Sequence, residues 1–539
     1  RLAGAAAPAD ETGWRFHRPG SFTHTFAGIV GQTLAFRKQP HCPGLMDDRA
    51  QTPTGVATGR RPLLALVLVA AGLAGCSTIG GHFAGTDNRG AAASTLRGPA
   101  ASTVEPAPVR SACPQVDSAG KALNINLPSG TVCHTGTNSQ GSAYIIAVPP
   151  NWNGRLVLHS HGGPDLAVNP DRASEVLTRW SIMVRAGYAL AGTAFRPGVA
   201  VSRAAEDTER LRGIFIRHIG KPSMTILHGQ SWGAAVAAKA AELYTPATVG
   251  QRPFDAVLLS AGVLGGGTRS YDFRTDLRAV YQYLCNNHPR PSETPYDLNL
   301  GFPAGQSAPS NANLSARVNE CLGLNLPREQ RSLEQQRKIA TITSVIKISE
   351  GNILGHLNWA TRHFQDISQR HGGSPFGNTG AVYTGLSDAA AMAALNAGVP
   401  RFPAQAEAFR RFAQDADVNG RIAVPVLTVK WVRDPIAFVE LDAYFKTLMT
   451  QAGAGERLVQ TYAHSAESHS YISDAVFVTL MSALTQWVEK GQKPSAQSIA
   501  AACPSVAATF GSGVGCSFDP AYSPPALNSR VPDRQRPAP

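Results

Sequence analysis

The sequence predicts an α/β protein, a mostly parallel sheet flanked by helices and interrupted by one long helical insertion. Three observations lead there. From Ala143 onward short apolar runs alternate with amphipathic stretches. One run, Met224-Thr-Ile-Leu227, leads through Gly229-Gln-Ser231-Trp-Gly233 into an alanine-rich helix. The alternation stops after Ser260 and resumes at Val426, with about 160 residues of mainly helical periodicity between. Strands alternating with helices imply parallel neighbours, because a parallel pair needs a crossover connection.

The elements follow in order. Residues 143–148 form a strand ended by Pro149-Pro150, and 155–159 form a second, continuously apolar as buried strands are. A helix over 173–185 leads to a strand at 188–194, and a helix over 206–219 to a strand at 224–227. Residues 235–243 continue as a helix and 255–259 as the next strand. The insertion carries helical patterns at 276–284, 333–347, 356–370 and 404–412. Strands at 426–431 and 457–462 then alternate with helices at 439–449 and 475–489.

At 539 residues, 43% hydrophobic and 16% charged, the composition is globular, enough for one large domain or up to about three. Gly 52 and Pro 38 are too few for a collagen-like or low-complexity chain. The net charge of +12 is spread without a dense Lys/Arg run or nucleic-acid motif, which reads as a solvated surface and implies no nucleic-acid partner.

One strongly apolar run, residues 62–75, follows Arg60-Arg61 and precedes Cys76. It is too short for a permanent span, which needs about 20 residues. Charged start, short apolar centre and small residues are the order of an export signal. Leu73-Ala-Gly-Cys76 resembles the bacterial lipobox, which implies removal of 46–75 and lipidation of Cys76. The lipid would hold the protein to a membrane facing the periplasm or the exterior. Residues 76–110, rich in Gly, Ala, Ser and Thr, suit a flexible tether. The chain opens on Arg and Met46 would begin a signal of ordinary length, so 1–45 reads as an over-extended or fragmentary start.

Cysteine usage points the same way. Beyond Cys42 and Cys76, six cysteines form three neighbouring pairs: Cys113 with Cys133, Cys285 with Cys321, and Cys503 with Cys516. Six cysteines allow about 15 connectivities, and neighbours bridging is the simplest in an oxidising compartment. Free buried thiols are the alternative. Neither Cys-x-x-Cys nor His-Glu-x-x-His occurs, so no metal or other cofactor is expected.

The most informative stretch is the strand–Gly-x-Ser-x-Gly–helix passage. A serine at so sharp a turn sits in a strained backbone, and glycines two before and two after relieve clashes across it. The hydroxyl then stands at a helix N-terminus, where dipole and free N–H groups stabilise negative charge. Here the chain resembles the α/β-hydrolase superfamily, over about residues 143–493. The resemblance implies that fold, with the insertion as a helical lid, and Ser231 as nucleophile. An inert tight turn is the bland alternative. Ser160-His-Gly162-Gly163-Pro164 follows the strand at 155–159 and resembles the family's oxyanion loop. Gly162 or Gly163 would supply one backbone N–H and Trp232 the other.

The family order is Ser, acid, His. Asp434, in the turn after the strand at 426–431, is the expected acid; Glu440 and Asp442 fall within the next helix and read as solvated residues. His469, before the terminal helix, is the expected base in preference to His464 at the strand end. His159 and His228 read as packing or loop residues. Domain divisions follow: 111–264 and 425–518 as the two parts of the core, 265–424 as the lid, 519–539 as a disordered tail.

A triad with an oxyanion hole implies acyl transfer to water, and a serine at the elbow excludes the dehalogenase type. The first expectation is an exported carboxylic ester hydrolase acting on a small-molecule or polymeric ester. Aromatics such as Trp359, Phe364, Phe376 and Tyr383 would suit its pocket, though each also suits a core. An exopeptidase resembling proline iminopeptidases, on the strength of His161-Gly-Gly-Pro164, and a degenerate binding or surface protein are the alternatives. Nothing in the sequence sets the oligomeric state.

Overall fold

The computed structural model describes residues 104–246, 252–464, 466–469, 471–511 and 515–538. The expected signal, Cys76 and most of the tether lie outside these. Among the described residues no helix is long and apolar enough to cross a membrane.

Nine strands form one sheet: β1 (Val109–Ser111), β2 (Val132–Thr137), β3 (Ala143–Val148), β4 (Arg155–Ser160), β5 (Ala189–Ala194), β6 (Met224–Gln230), β7 (Ala256–Ser260), β8 (Val426–Trp431) and β9 (Leu458–Ala463). Their spatial order is β1-β2-β3-β5-β4-β6-β7-β8-β9. The pairs from β1 to β5 are antiparallel; from β5 onward every pair is parallel. This is the α/β-hydrolase fold. From β4 the chain moves one way to β5, then returns to lay β6 on the other side. That reversal opens a crevice beyond the carboxyl ends of β4 and β6, where open α/β sheets place their ligands.

The helices are α1 (Arg172–Arg185), α2 (Val201–His218), α3 (Trp232–Tyr244), then α4 (Gly267–Ser270), α5 (Asp272–Cys285), α6 (Asn311–Leu322), α7 (Leu333–Ile346), α8 (Ile353–His371), α9 (Ala389–Gly398) and α10 (Ala406–Ala416) in the insertion. After β8 come α11 (Glu440–Gln451), α12 (Asp474–Lys490) and α13 (Ala496–Phe510). Leu156 and Leu158 of β4 pack with α2 and α3, while Val157 faces α1 and α12. Both sheet faces are thus covered, which is why the central strands read as unbroken apolar runs. The alanines of α3 let it lie close to the sheet, and its positions 234–238 are all buried.

The insertion has a core of its own, with Leu277 and Val280 of α5, Leu314 and Val318 of α6, Ile342 of α7 and Leu357 of α8. Phe438 and Leu441 of the sheet domain join that cluster and tie the two parts together. Disulfides join Cys113 to Cys133, Cys285 to Cys321 and Cys503 to Cys516, the neighbouring pairing. Bridges of this kind persist in exported proteins.

Two expectations need correction, and three elements, β1, β2 and α13, were not foreseen. Residues 519–538 are not a disordered tail. Asp519 N–H donates to the Tyr462 carbonyl at 2.8 Å, and Arg534 is buried against α5, so charge pairing holds a segment whose proline content suggested disorder. Strands β1 and β2 escaped the sequence because β2 is half-exposed and polar, and α13 because Pro504 interrupts its pattern. Helix α2 begins at Val201 rather than at 206, since the Asp415 carboxylate of α10 accepts from the Val201 and Ser202 N–H groups and caps it from afar.

Candidate active site

Ser231 sits between β6 and α3 with φ 57° and ψ −120°, a left-handed conformation that L side chains rarely adopt. The turn closes because its flanks are bare. A Cβ on Gly229 would stand 2.2 Å from the Gly233 carbonyl oxygen, and one on Gly233 would stand 2.1 Å from that of Ser160. The second contact draws the elbow against the end of β4, bringing the His161–Pro164 loop beside the serine. Strand register does the rest, pairing Ser160 with Gly229.

The loop after β8 and the loop after β9 meet at that hydroxyl. His469 Nε2 lies 2.8 Å from Ser231 Oγ. Its Nδ1 lies 2.9 and 2.8 Å from the two oxygens of Asp434. Asp434 Oδ1 also accepts from the N–H groups of Ile436 and Ala437 at 2.9 and 2.8 Å. A carboxylate facing Nδ1 keeps the imidazole proton there, leaving Nε2 able to accept from the serine O–H. His469 and Asp434 are both buried.

The structure therefore brings Ser231, Asp434 and His469 into one chain of hydrogen bonds and leaves their rivals outside it. His464 Nε2 faces Asp519 at 2.6 Å on the surface. Glu440 and Asp442 are buried, contrary to the solvated position that their place within the next helix implied. Asp442 is buried against Lys430 Nζ, and Glu440 pairs with Arg530 at 3.1 Å. His159 and His228 face each other at 3.0 Å between Nδ1 atoms, buried beneath the site.

A cavity of about 50 Å³ opens on the serine, bordered by Gly162, Gly163, Trp232 and His469. Trp232 is the first residue of α3, so its N–H has no intrahelical acceptor. Gly163 has φ 69°, and a Cβ on Gly162 would press to 2.7 Å on Gln230 Oε1. Behind the loop, burial holds His161 down to about 4, so it is neutral and its ring contacts the Gly162 carbonyl at 3.1 Å.

The far wall comes from the insertion. Tyr271 and Trp359 pack with centroids 4.3 Å apart and their planes tilted by 35°, and Arg274 lies over the Trp359 ring at 4.4 Å. Of the four aromatics named from sequence, Trp359 alone borders the cavity. Phe364 and Phe376 stack on each other at 3.8 Å within the core, and the Tyr383 hydroxyl donates to Asp276 at 3.0 Å. Arg172, Arg179 and Arg274 also line the cavity, and none was marked by sequence, since no motif surrounds them. Among the described residues no cluster of side chains could hold a metal ion.

No family model matches the chain. An o-phthalyl amidase from Xanthobacter agilis is 32% identical over 106 residues, which are 19% of this chain and 22% of that protein. The chain thus matches about a fifth of that relative's length. Among solved structures, an esterase from Aspergillus oryzae aligns at 13% identity and TM-score 0.39, covering 72% of this chain and 86% of its own. Feruloyl esterase B from Aspergillus oryzae aligns at 12% and 0.40, covering 72% and 88%. The rice cell wall degrading esterase LipA from Xanthomonas oryzae aligns at 10% and 0.33, covering 62% and 83%.

Proposed function

We propose that this chain is an exported serine hydrolase that cleaves carboxylic esters through an acyl-enzyme. The observation that carries the reading is the continuous hydrogen-bonded chain Ser231–His469–Asp434 at the mouth of the cavity. Ser231 Oγ attacks the ester carbonyl while its proton passes to His469 Nε2, and Asp434 stabilises the imidazolium. The tetrahedral oxyanion takes hydrogen bonds from the Trp232 N–H and from Gly162 or Gly163; one such donor is worth about 2.7–4 kcal/mol. His469 returns the proton to the departing alcohol. Water, deprotonated by the same histidine, then releases the acid and restores Ser231.

Amide hydrolysis is the second reading, favoured by the 106-residue likeness to an amidase. The test offers the full chain a series of p-nitrophenyl acyl esters, the matching acyl-p-nitroanilides and aminoacyl-p-nitroanilides. Preference for the first supports the esterase, for the second an amidase, for the third an exopeptidase. Activity retained in Ser231→Ala would remove the serine mechanism, and no turnover in the wild type would leave a binding protein. The anchor at Cys76 belongs to the same proposal: Cys76→Ala should move the protein from the membrane fraction to the soluble one.

A further inference from the structure

We propose that the cavity selects substrates carrying a carboxylate near the scissile carbonyl, received by Arg274; this rests on the hydrolase reading above. Three guanidinium groups border the cavity, while no Asp or Glu does among the described residues. Their partners differ. Arg172 is neutralised, with Nε 3.2 Å from Asp165 and Nη1 2.5 Å from Glu175. Arg179 donates to a neutral acceptor, Gln230 Oε1, at 3.0 Å.

Arg274 has no carboxylate partner among the described residues, yet is only 3% exposed. Its Nε donates to His356 Nδ1 at 3.3 Å, and His356 Nε2 lies 3.1 Å from the Pro435 carbonyl, which fixes Nδ1 as the acceptor. The guanidinium stands over the rings of Trp359, Phe273 and Tyr271 at 4.4, 4.8 and 5.3 Å. Every one of these partners is uncharged. Its two terminal nitrogens meet no acceptor among the described residues.

A buried charge without a counter-ion is expensive, and an arginine so held is a planar fork already oriented for two parallel bonds to a carboxylate. Burial lowers the guanidinium to about 10, so it stays cationic at neutral pH. The neutral stack fixes its position while contributing no anion, and Arg179 adds a second positive charge to the same space. Arg274 is thus placed for specificity, with the acyl chemistry left to Ser231.

The test uses rigid ester pairs that differ only in a free or methyl-capped carboxylate. Acyl-side pairs are 4-nitrophenyl monoesters of isophthalate and terephthalate against their methyl-capped forms; leaving-group pairs are 3- and 4-acetoxybenzoate against their methyl esters. The wild type should show a kcat/KM ratio favouring the free acid by roughly 10- to 100-fold in at least one arm, the range expected of a charge-assisted hydrogen bond. Arg274→Gln should collapse that ratio and Arg274→Lys should restore part of it. The responding arm tells which side of the scissile bond bears the anion. No preference in any arm, or a preference surviving in Arg274→Gln, overturns the proposal. Calorimetric titration with benzoate and benzamide reads the site without turnover: benzoate should bind more tightly to the wild type and lose that advantage in Arg274→Gln. Equal binding of the two also overturns it. Failure of the hydrolase reading would appear separately, as no turnover in any arm.

Discussion

Arg534 Nη2 donates to Asp276 Oδ2 at 2.7 Å, and both side chains are buried to within 2% of full coverage. The pair joins the C-terminal segment to α5, the helix that also carries Arg274. Arg536 extends the contact to Asp272 at 2.5 Å. The tail is thus part of the insertion's support.

Removing one member of that pair strands the other charge. Arg534→Met should destabilise the protein by about 3–5 kcal/mol, seen as a lower denaturant midpoint. Adding Asp276→Leu should recover much of the loss. Unchanged stability in the single variant would show that the tail does not bear on the fold.

Asp434→Asn keeps an acceptor for the Ile436 and Ala437 N–H groups but can turn an N–H toward His469 Nδ1. That favours the tautomer with its proton on Nε2, facing Ser231, so kcat should fall about 10⁴-fold with the fold intact. His464→Ala, whose partner is Asp519, should have a mild effect. The reverse pattern of rates would reassign the base.

Gly233→Ala tests the elbow's geometry. A Cβ there would meet the Ser160 and His161 carbonyl oxygens at 2.1 and 2.3 Å, with rigid backbone on both sides. About 3 kcal/mol or more of stability should be lost. Gly213→Ala, in α2 with no atom within 4 Å of the added carbon, should instead stabilise by about 1 kcal/mol. Thermal unfolding of both variants settles the comparison.

The buried His159–His228 pair makes stability sensitive to acid. Burial holds His228 down to about 3, against 6.5 for a free histidine. Between those values the unfolded chain binds a proton that the folded chain refuses, so this contribution is complete above pH 6.5 and falls as pH drops. At pH 5 His228 alone should cost about 2 kcal/mol. Burial raises Asp165 and Glu242 to about 7, which acts in the opposite direction, so the measurement is a difference. In urea unfolding at pH 7.5 and pH 5, His228→Gln should lose less stability than the wild type. Equal losses would show that the histidine does not carry the effect.

What the sequence determined by itself was what short-range physics encodes. Strand 426–431 and the elbow around Ser231 were legible because hydrophobic period and turn chemistry act within a few residues. The neighbouring cysteine pairs belong to the same class, since each closes a short loop. Resemblance to a superfamily pointed to Asp434 and His469 through their place after particular strands. Only the tertiary structure decided the rest. The start of α2 depends on Asp415, a carboxylate more than two hundred residues away, and β1 forms where β2 offers it an edge. Asp442 reads as a surface residue on its own helix and is buried because Lys430 lies opposite. Arg274 shows nothing in its own neighbourhood, for its meaning lies in the neutral partners that His356 and Trp359 supply from α8. Charge and burial are properties of what a fold brings together, and no local pattern of residues records them.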